Sequence, residues 1–458
     1  MFFLSISVAK AQTWVQNSNF STGALTGFFI TDIVAVTDSV VWAIATPFDP
    51  DSLNYNQSKL FRTINGGNTW QVFNVTTPNN GNVRRIVAFD SLTVVILSKG
   101  ANNAIYKTTD GARTWTEKLR NFKDVDFMNF FDRSNGILIG VKNNLTIKTG
   151  NGGDTWTIDS TTQKPFGGQL VSPISHVVQN KDTIGFTTRV AAIGTQPSPR
   201  FYRSTDRGVT WTSFVLPLSN TFSDAVTDFR NGTNGLMTTF NITATNGPLF
   251  TNLLKTANGG ETWEKLQSVP SAFYNLFVPT VNAIPKTPSS YILHGFGFSN
   301  ADAFVLWYYS IDDGLTWKTV PRIDVPDVAT AFAITDAVFS SPKVGWFAMS
   351  TDSLPPRIYK WDGSNVLSSS DDIADGSQLS VSPNPSTGIV TIQWKNAENI
   401  PPQYLRVVDA LGQTVFEKKG MLETNPQTLD LQQLANGVYI LELQFPKQTT
   451  TRKLVIQH

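Results

Sequence analysis

A phrase of eight residues recurs six times along the chain, and it constrains the possible fold more than any other feature. It begins with Thr or Ser, holds Asp or Asn at its third position and ends in Thr-Trp. By subtraction of residue numbers, successive tryptophans stand 41 to 55 residues apart. Four short strands and their turns need an interval of this size, which predicts one β-propeller blade per copy. The copies occupy residues 63–70, 108–115, 149–156, 204–211, 256–263 and 310–317.

We call each copy a repeat turn, because its residue types suit a turn between two strands. The Asp or Asn side chain can accept hydrogen bonds from turn amides, and the glycine at the fifth position can adopt a positive φ. Thr resumes the strand, and Trp buries a large ring between neighbouring sheets. The second copy has Ala112 in place of this glycine, which predicts a distorted turn. The residues given this structural role are Asn65, Trp70, Asp110, Trp115, Asn151, Trp156, Asp206, Trp211, Asn258, Trp263, Asp312 and Trp317.

The repeat turn resembles the Asp-box, or BNR repeat, found in sialidases and in many other propellers. In those proteins the turn lies at the periphery, on the face away from the usual ligand site. The resemblance therefore implies a structural role, with calcium or ligand contact as the alternative. Binding is then expected on the opposite face, in the loops that join second to third and fourth to first strands.

A second element, two apolar strands joined by a turn, occurs seven times, and its last copy ends at Trp361 without a Thr-Trp strand. Thr13-Trp14 resembles the start of the other fourth strands. We expect residues 12–19 to supply the missing outer strand and so to remove the exposed edges of an open sheet. The sequence predicts an all-β chain with a seven-bladed β-propeller over residues 12–363. An eight-bladed or open arrangement is the alternative.

The amino-acid composition of the chain changes after Gly363. Residues 364–378 are rich in Ser and Asp and predict a linker, while residues 379–458 hold short period-two runs that predict a small antiparallel β-sandwich. This segment resembles the type A C-terminal sorting domain of the Bacteroidetes type IX secretion system. The resemblance implies the secretion machinery as a partner and a secreted or surface-attached protein; an adhesive sandwich is the alternative. The matching residues are Pro383, Asn384, Pro385, Gly412, Gly437, Tyr439 and Lys453.

The N-terminus predicts a signal peptide over residues 1–11. A short apolar run ends in Ala-Lys-Ala before Gln12, which is typical of a cleavage site. The basic residues that open such peptides are missing, so we interpret the segment as a truncated one, with a disordered or strand-forming terminus as the alternative. No other run approaches the roughly 18 apolar residues of a membrane-spanning helix, so no transmembrane segment is predicted.

Composition excludes several kinds of site. The chain has 36 Lys and Arg residues against 35 Asp and Glu, a balance that predicts no nucleic-acid partner. The lack of Cys excludes disulfides, Cys-ligated zinc and thiol nucleophiles, and three His are too few for a His-rich metal site. No cofactor is predicted. Asp49, Asp51 and Asn54 could bind calcium through oxygen ligands, but they match no complete calcium loop.

Several long loops combine aromatic rings with carboxylates and amides, which suits sugar faces or partner surfaces; ordinary turn chemistry is the alternative at each position. No catalytic motif is visible, so we expect a non-enzymatic glycan- or protein-binding module outside the cell. The candidate ligand-binding residues are Asp49, Asp51, Tyr55, Phe166, Phe298 and Asp302.

Two other functions stay open. A sialidase-like or glucanase-like glycoside hydrolase is the first, although the sialidase Arg-Ile-Pro phrase is absent. Its three substrate-binding arginines would have to come from Arg84, Arg85, Arg120, Arg189 and Arg322. A protein-binding propeller is the second, because the Gly-Gly-x-Thr-Trp form of the repeat turn also resembles assembly factors of the photosystem II type.

Overall fold

The computed structural model describes most of the chain. The described residues are 13–20, 25–47, 58–75, 81–100, 103–122, 125, 127–140, 145–159, 170–178, 182–190, 199–218, 224–243, 247–267, 269–270, 277–298, 303–325, 332–351, 354–362, 378–384, 386–395, 401–409, 413–420, 424–445 and 449–458. Contacts divide the chain into two compact units, Met1–Val366 and Leu367–His458. Each unit is described by itself.

Strands are the regular elements of the described residues in the first unit. In chain order they are β1 (Thr13–Gln16), β2 (Phe28–Ala35), β3 (Val41–Pro47), β4 (Ser58–Thr63), β5 (Gln71–Val75), β6 (Asn82–Ala88), β7 (Val94–Lys99), β8 (Asn103–Thr108), β9 (Thr116–Phe122), β10 (Phe127–Phe130), β11 (Gly136–Gly140), β12 (Leu145–Thr149), β13 (Thr157–Ile158), β14 (Leu170–Val178), β15 (Ile184–Val190), β16 (Arg200–Ser204), β17 (Thr212–Val215), β18 (Asp224–Phe229), β19 (Gly235–Thr243), β20 (Gly247–Thr256), β21 (Glu264–Leu266), β22 (Phe277–Ala283), β23 (Tyr291–Phe298), β24 (Ala303–Ser310), β25 (Lys318–Val325), β26 (Phe332–Ile334), β27 (Val338–Ser341), β28 (Val344–Thr351) and β29 (Arg357–Asp362).

These strands form antiparallel sheets of consecutive strands, numbered here in chain order. Sheets 1 to 6 are β2–β5, β6–β9, β10–β13, β14–β17, β18–β21 and β22–β25, and sheet 7 joins β26–β29 to β1. From sheet 1 to sheet 6 the first strand of each sheet contacts the first strand of the next, sheets 6 and 7 share an apolar cluster, and β2 contacts strands of sheet 7. The sheets therefore follow one another around a ring, with their first strands toward its axis.

The N-terminal strand completes sheet 7, as the Thr13-Trp14 pattern predicts. β1 runs antiparallel to β29, with Trp14 opposite Trp361 and Gln16 opposite Tyr359. The Trp14 side chain is buried, and its ring centroid lies 4.8 Å from those of Trp307 and Phe347. The first and last strands of this unit thus share one sheet, and aromatic packing between sheets 6 and 7 holds β1 in place.

The repeat turns connect third to fourth strands and carry repeated hydrogen bonds. In the first, the Thr69 amide donates to Asn65 Oδ1 at 2.9 Å, and the Gly67 amide donates to Thr63 Oγ1 at 2.9 Å. The second turn keeps both bonds, because Ala112 itself adopts a φ of 72°. The predicted distortion of this turn was therefore wrong. The second turn keeps the hydrogen bonds of the first, and Ala112 adopts the unfavourable positive φ that glycine adopts there.

The second unit contains two antiparallel sheets. Its strands are β30 (Gln378–Ser382), β31 (Ile389–Lys395), β32 (Tyr404–Val408), β33 (Thr414–Lys419), β34 (Gln427–Asp430), β35 (Gly437–Gln444) and β36 (Thr449–Ile456). One sheet has the order β30-β31-β34 and the other β33-β32-β35-β36. A single apolar cluster, which includes Ile392, Leu441 and Leu454, fills the space between them.

The predicted sorting residues have definite places where the structure describes them. Asn384 Oδ1 accepts a hydrogen bond from the Val455 amide at 2.8 Å, and the Tyr439 hydroxyl donates to the Ala435 carbonyl at 2.9 Å. Pro383 follows β30, Gly437 begins β35, and Lys453 pairs with Ile440 between β36 and β35. Pro385 and Gly412 lie outside the described residues, as do the predicted signal peptide and almost all of the linker. The exact domain boundaries stay predictions.

Candidate functional site

The first strands place polar side chains near the axis of the ring. Asp32, Arg85, Asp228 and Asn282 lie on first strands, a few residues before the turn to the second strand, and Asp336 lies between β26 and β27. An apolar residue follows each of them in the sequence, as expected where side chains alternate along a half-buried strand. In five of the sheets, the sequence of the first strand or of its continuation therefore provides one polar group near the axis.

Three of these side chains bind the backbone of the next sheet. Asp32 Oδ2 accepts a hydrogen bond from the Ile86 backbone amide at 3.1 Å, and Asp228 Oδ2 accepts one from the Ala283 backbone amide at 2.8 Å. Asn282 Oδ1 accepts from the Ala337 amide at 3.2 Å in the same way. Each bond satisfies a buried amide and links two sheets, which explains a polar residue at this point.

Asp336 departs from this arrangement. Within the described residues its carboxylate accepts no hydrogen bond, and Arg85 is the charged group that stabilises its ionised form. Its side chain is exposed to the solvent space around the axis, although protein surrounds that space. Asp336 is thus available to a ligand, whereas Asp32, Asp228 and Asn282 already accept hydrogen bonds from the backbone.

Electrostatics connect the acidic groups around the axis. Burial is the main cause that raises the pKa of Asp228 to about 7 and the pKa of Asp32 to about 6. Repulsion from Asp336 contributes to both shifts. Burial also raises the pKa of Asp336, and attraction to Arg85 opposes that shift. The carboxylates therefore lack enough positive charge nearby to compensate for the loss of water.

A cavity of about 390 Å³ lies beside Asp228 and Asp336, and we call it the axial cavity. Its volume falls at the lower end of the range for small-molecule sites. Sheets 5, 6 and 7 contribute the lining, through the ends of their first strands and the residues that follow. The lining residues are Val226, Thr227, Asp228, Phe229, Arg230, Asn282, Ala283, Pro285, Asp336, Ala337, Val338 and Phe339.

The axial cavity lies on the face that carries the repeat turns. In sheet 5 the Gly259 amide of the repeat turn donates to the Thr233 carbonyl, in the turn that follows β18. Because Arg230 and Pro285 also follow first strands, the cavity is at this end of the ring. The resemblance to Asp-box propellers predicts binding on the opposite face, whose long loops lie largely outside the described residues.

Arg230 lines the axial cavity but is already paired. Its Nε lies 2.7 Å from Asp313 Oδ1, and its Nη2 lies 3.1 Å from Asp313 Oδ2. Asp313 belongs to the repeat turn of sheet 6, so this bidentate ion pair joins sheets 5 and 6. The guanidinium is neutralised there, and the remaining charged lining groups, Asp228 and Asp336, are acidic.

This arrangement can bind a ligand by two kinds of contact. The carboxylates can accept hydrogen bonds or face a positive charge, and Ala283, Ala337 and Phe339 offer apolar walls. A carboxyl group with a pKa near 7, as in Asp228, can also hold or release a proton at neutral pH. The geometry is thus suited to recognition and contains a group capable of proton transfer.

Most predicted loop residues cannot be located. Asp49, Asp51, Asn54, Tyr55, Phe166 and Asp302 lie outside the described residues, so the possible calcium loop and its neighbours stay predictions. Phe298 is the last residue of β23, and its side chain is also outside the description.

Three of the arginines considered for a sialidase-like triad lie on strands at different distances from the axis of the ring. Arg120 lies on the fourth strand β9 and pairs with Glu117, and Arg322 lies on the fourth strand β25 beside Asp324 at 2.8 Å. Fourth strands form the outer edges of the sheets, whereas Arg85 lies on a first strand. This placement does not favour a triad that joins Arg85 to Arg120 or Arg322.

The acidic groups near the axis were not among the predicted site residues, although the sequence contains a signal for them. Thr-Asp precedes an apolar residue within the first strands at 31–33 and 227–229, and between β26 and β27 at 335–337. An acid repeated on the innermost strand of a ring predicts convergence at the axis.

Within the described part of the chain, no group of three or more His, Cys, Asp or Glu could hold a metal ion.

Comparison with known proteins follows the same division of the chain. The model of the DUF6242 beta propeller domain matches residues 68–377, and that of a secretion system C-terminal sorting domain matches residues 380–457. No curated protein matches the sequence. Among the described residues, no helix has the length and apolar character needed to span a membrane.

Solved structures with a similar fold include proteins of different kinds. YCF48 bound to D1 peptide is 15% identical, with a TM-score of 0.51, and the match covers 79% of this chain and 97% of that one. A polysaccharide lyase of family PL25, an ulvan lyase, is 13% identical, with a TM-score of 0.51 and coverage of 75% and 96%. At these identities the similarity concerns the fold alone.

Proposed function

The chain belongs to the DUF6242 beta-propeller family and carries a secretion system C-terminal sorting domain, and from this premise we propose that it is an exported binding module. The sorting domain indicates secretion or attachment to the outer cell surface. The propeller then captures a glycan or protein ligand outside the cell without chemical change. Its ligand enters the axial cavity.

The observation that carries this proposal is the state of Asp336. Asp32, Asp228 and Asn282 each accept a backbone amide of the next sheet, whereas the Asp336 carboxylate accepts none among the described residues. Leaving a carboxylate partly desolvated without a hydrogen bond costs stability. A ligand that supplies the missing donor offsets this cost, which supports a binding role for the cavity.

The test uses the full chain with the substitution Asp336→Asn. The chain is immobilised and exposed to sialosides, plant glucans and peptides, and mass spectrometry follows both retained and altered molecules. We expect at least one ligand to be retained unchanged and its affinity to fall at least about tenfold in the variant, because a charged acceptor is lost.

Asp324→Asn is the matched control, since this carboxylate is exposed on the outer strand β25. Retention by the control should match that of the native chain. Equal retention by Asp336→Asn would exclude the axial cavity as the binding site. Products of altered mass would replace the binding role with an enzymatic one.

A glycoside hydrolase is the second candidate, and one observation favours it. Asp228 and Asp336 line the same cavity, and the pKa of Asp228 is raised to about 7. Glycosidases use two carboxyl groups, one of them protonated near neutral pH, on either side of the scissile bond. Cleavage of a glycan that Asp228→Asn abolishes, while retention persists, would establish this function instead.

A further inference from the structure

We propose that the axial cavity receives a lysine or arginine side chain of a peptide partner, with its cationic head between Asp228 and Asp336. This inference rests on the proposed function and specifies the ligand. It is carried by the charge of the cavity, by its apolar walls and by the available carboxylate of Asp336.

The charge of the cavity calls for a cation. Arg230 is held by both oxygens of Asp313, so it leaves Asp228 and Asp336 uncompensated within the lining. Arg85 attracts Asp336, but it also attracts Asp32, and it is not part of the lining. A cationic head placed beside Asp336 adds the charge and the N–H donors that this carboxylate lacks.

The walls suit the aliphatic part of the same side chain. Ala283, Pro285, Ala337, Val338 and Phe339 provide apolar surface beside the two acids. Lysine and arginine place methylene stems along such surfaces while their charged heads reach a polar end. The volume of about 390 Å³ admits one long side chain more readily than several sugar rings.

A neutral glycan fits these features less well. Its hydroxyl groups could donate to the carboxylates, but they bring no charge to a site where burial disfavours two ionised acids. A basic side chain satisfies both the charge and the hydrogen-bonding capacity. The peptide is therefore the occupant to which the geometry points.

The experiment measures binding of defined peptides to the full chain at low ionic strength, by calorimetry. The probes are an acetylated and amidated peptide of four Gly-Lys repeats, its arginine counterpart, and versions with norleucine or citrulline. We expect the basic peptides to bind at least about tenfold more tightly than the neutral ones. Asp336→Asn should remove this preference, and Asp324→Asn should keep it.

A second variant guards against a local folding defect. In Asp228→Asn the side-chain amide oxygen can accept a hydrogen bond from the backbone amide of Ala283, as Asn282 Oδ1 does from that of Ala337. The link between the two sheets therefore persists. This variant should also lose at least about tenfold in affinity for the basic peptides while its thermal unfolding stays cooperative. Full affinity in both variants would overturn the inference.

Other outcomes separate this inference from the proposed function. Retention of a neutral glycan that depends on Asp336, without affinity for basic peptides, would overturn the inference and leave the binding role standing. Free cadaverine or an amino-sugar oligomer that binds as tightly as the peptides would exclude the peptide as occupant. No retention of any probe by the native chain would overturn both.

Discussion

Asp228 links sheets 5 and 6 and also lines the axial cavity, and its burial disfavours the ionised form of its carboxylate. Its carboxylate accepts the Phe229 and Ala283 amides at 2.7 and 2.8 Å, and burial still raises its pKa to about 7. Because its ordinary value is 3.8, the folded chain holds this proton more tightly than the unfolded chain. The contribution of Asp228 to the free energy of unfolding is therefore fully present below about pH 3.8 and is lost as the pH rises through about 7.

The substitution Asp228→Asn removes this pH dependence and keeps an acceptor for the Ala283 amide. We expect the free energy of unfolding of the variant, relative to that of the native chain, to rise by on the order of 2 kcal/mol between pH 5 and pH 8. Urea unfolding at several pH values measures the difference, with Asp324→Asn as control. A difference that falls with pH would contradict the assignment.

Among the elements, β1 joins the two ends of the ring. Trp14 is buried among Trp307, Phe347 and Trp361, while the neighbouring Val15 points away and is 48% exposed. Alternation along a strand explains this difference. β1 is short, so its attachment to sheet 7 depends largely on one indole ring.

Truncation of that ring tests the role of β1. Trp14→Ala should lower the free energy of unfolding by about 3–5 kcal/mol, because a large buried ring is replaced by a cavity. Val15→Ala, one residue away on the same strand, should change it by less than about 0.5 kcal/mol. Denaturant unfolding measures both, and similar effects of the two substitutions would show that packing of β1 does not depend on Trp14.

The elements were more predictable than the site they build. The repeat turns and the Thr13-Trp14 pattern are local in sequence, so they predict the succession of strands and the pairing of β1 with sheet 7. Asp228 and Asp336 are distant in sequence and meet only because the first strands converge. Ala112 shows that a local pattern can also mislead. Alanine in place of glycine predicts a distorted turn, but hydrogen bonds from the Ala112 and Thr114 amides keep the backbone of the turn in place.

At the scale of the whole molecule, the two units divide two tasks. The axial cavity lies in Met1–Val366, whereas the match to a secretion system sorting domain falls in Leu367–His458, which has its own apolar core. Capture and export should therefore be separable by changes in different units.

This separation is testable in a bacterium that possesses the type IX system. Removal of residues 367–458 should leave the chain inside the outer membrane, with extracellular or surface material reduced at least about tenfold, because the sorting signal is lost. Asp336→Asn in the complete chain should be exported like the native protein and fail only in ligand capture. Immunoblots of cell fractions, together with retention of the basic peptides, measure the two properties. Normal export of the truncated chain would contradict the assignment of sorting to the second unit, whereas failed export of Asp336→Asn would show that the two tasks are coupled through folding of the propeller.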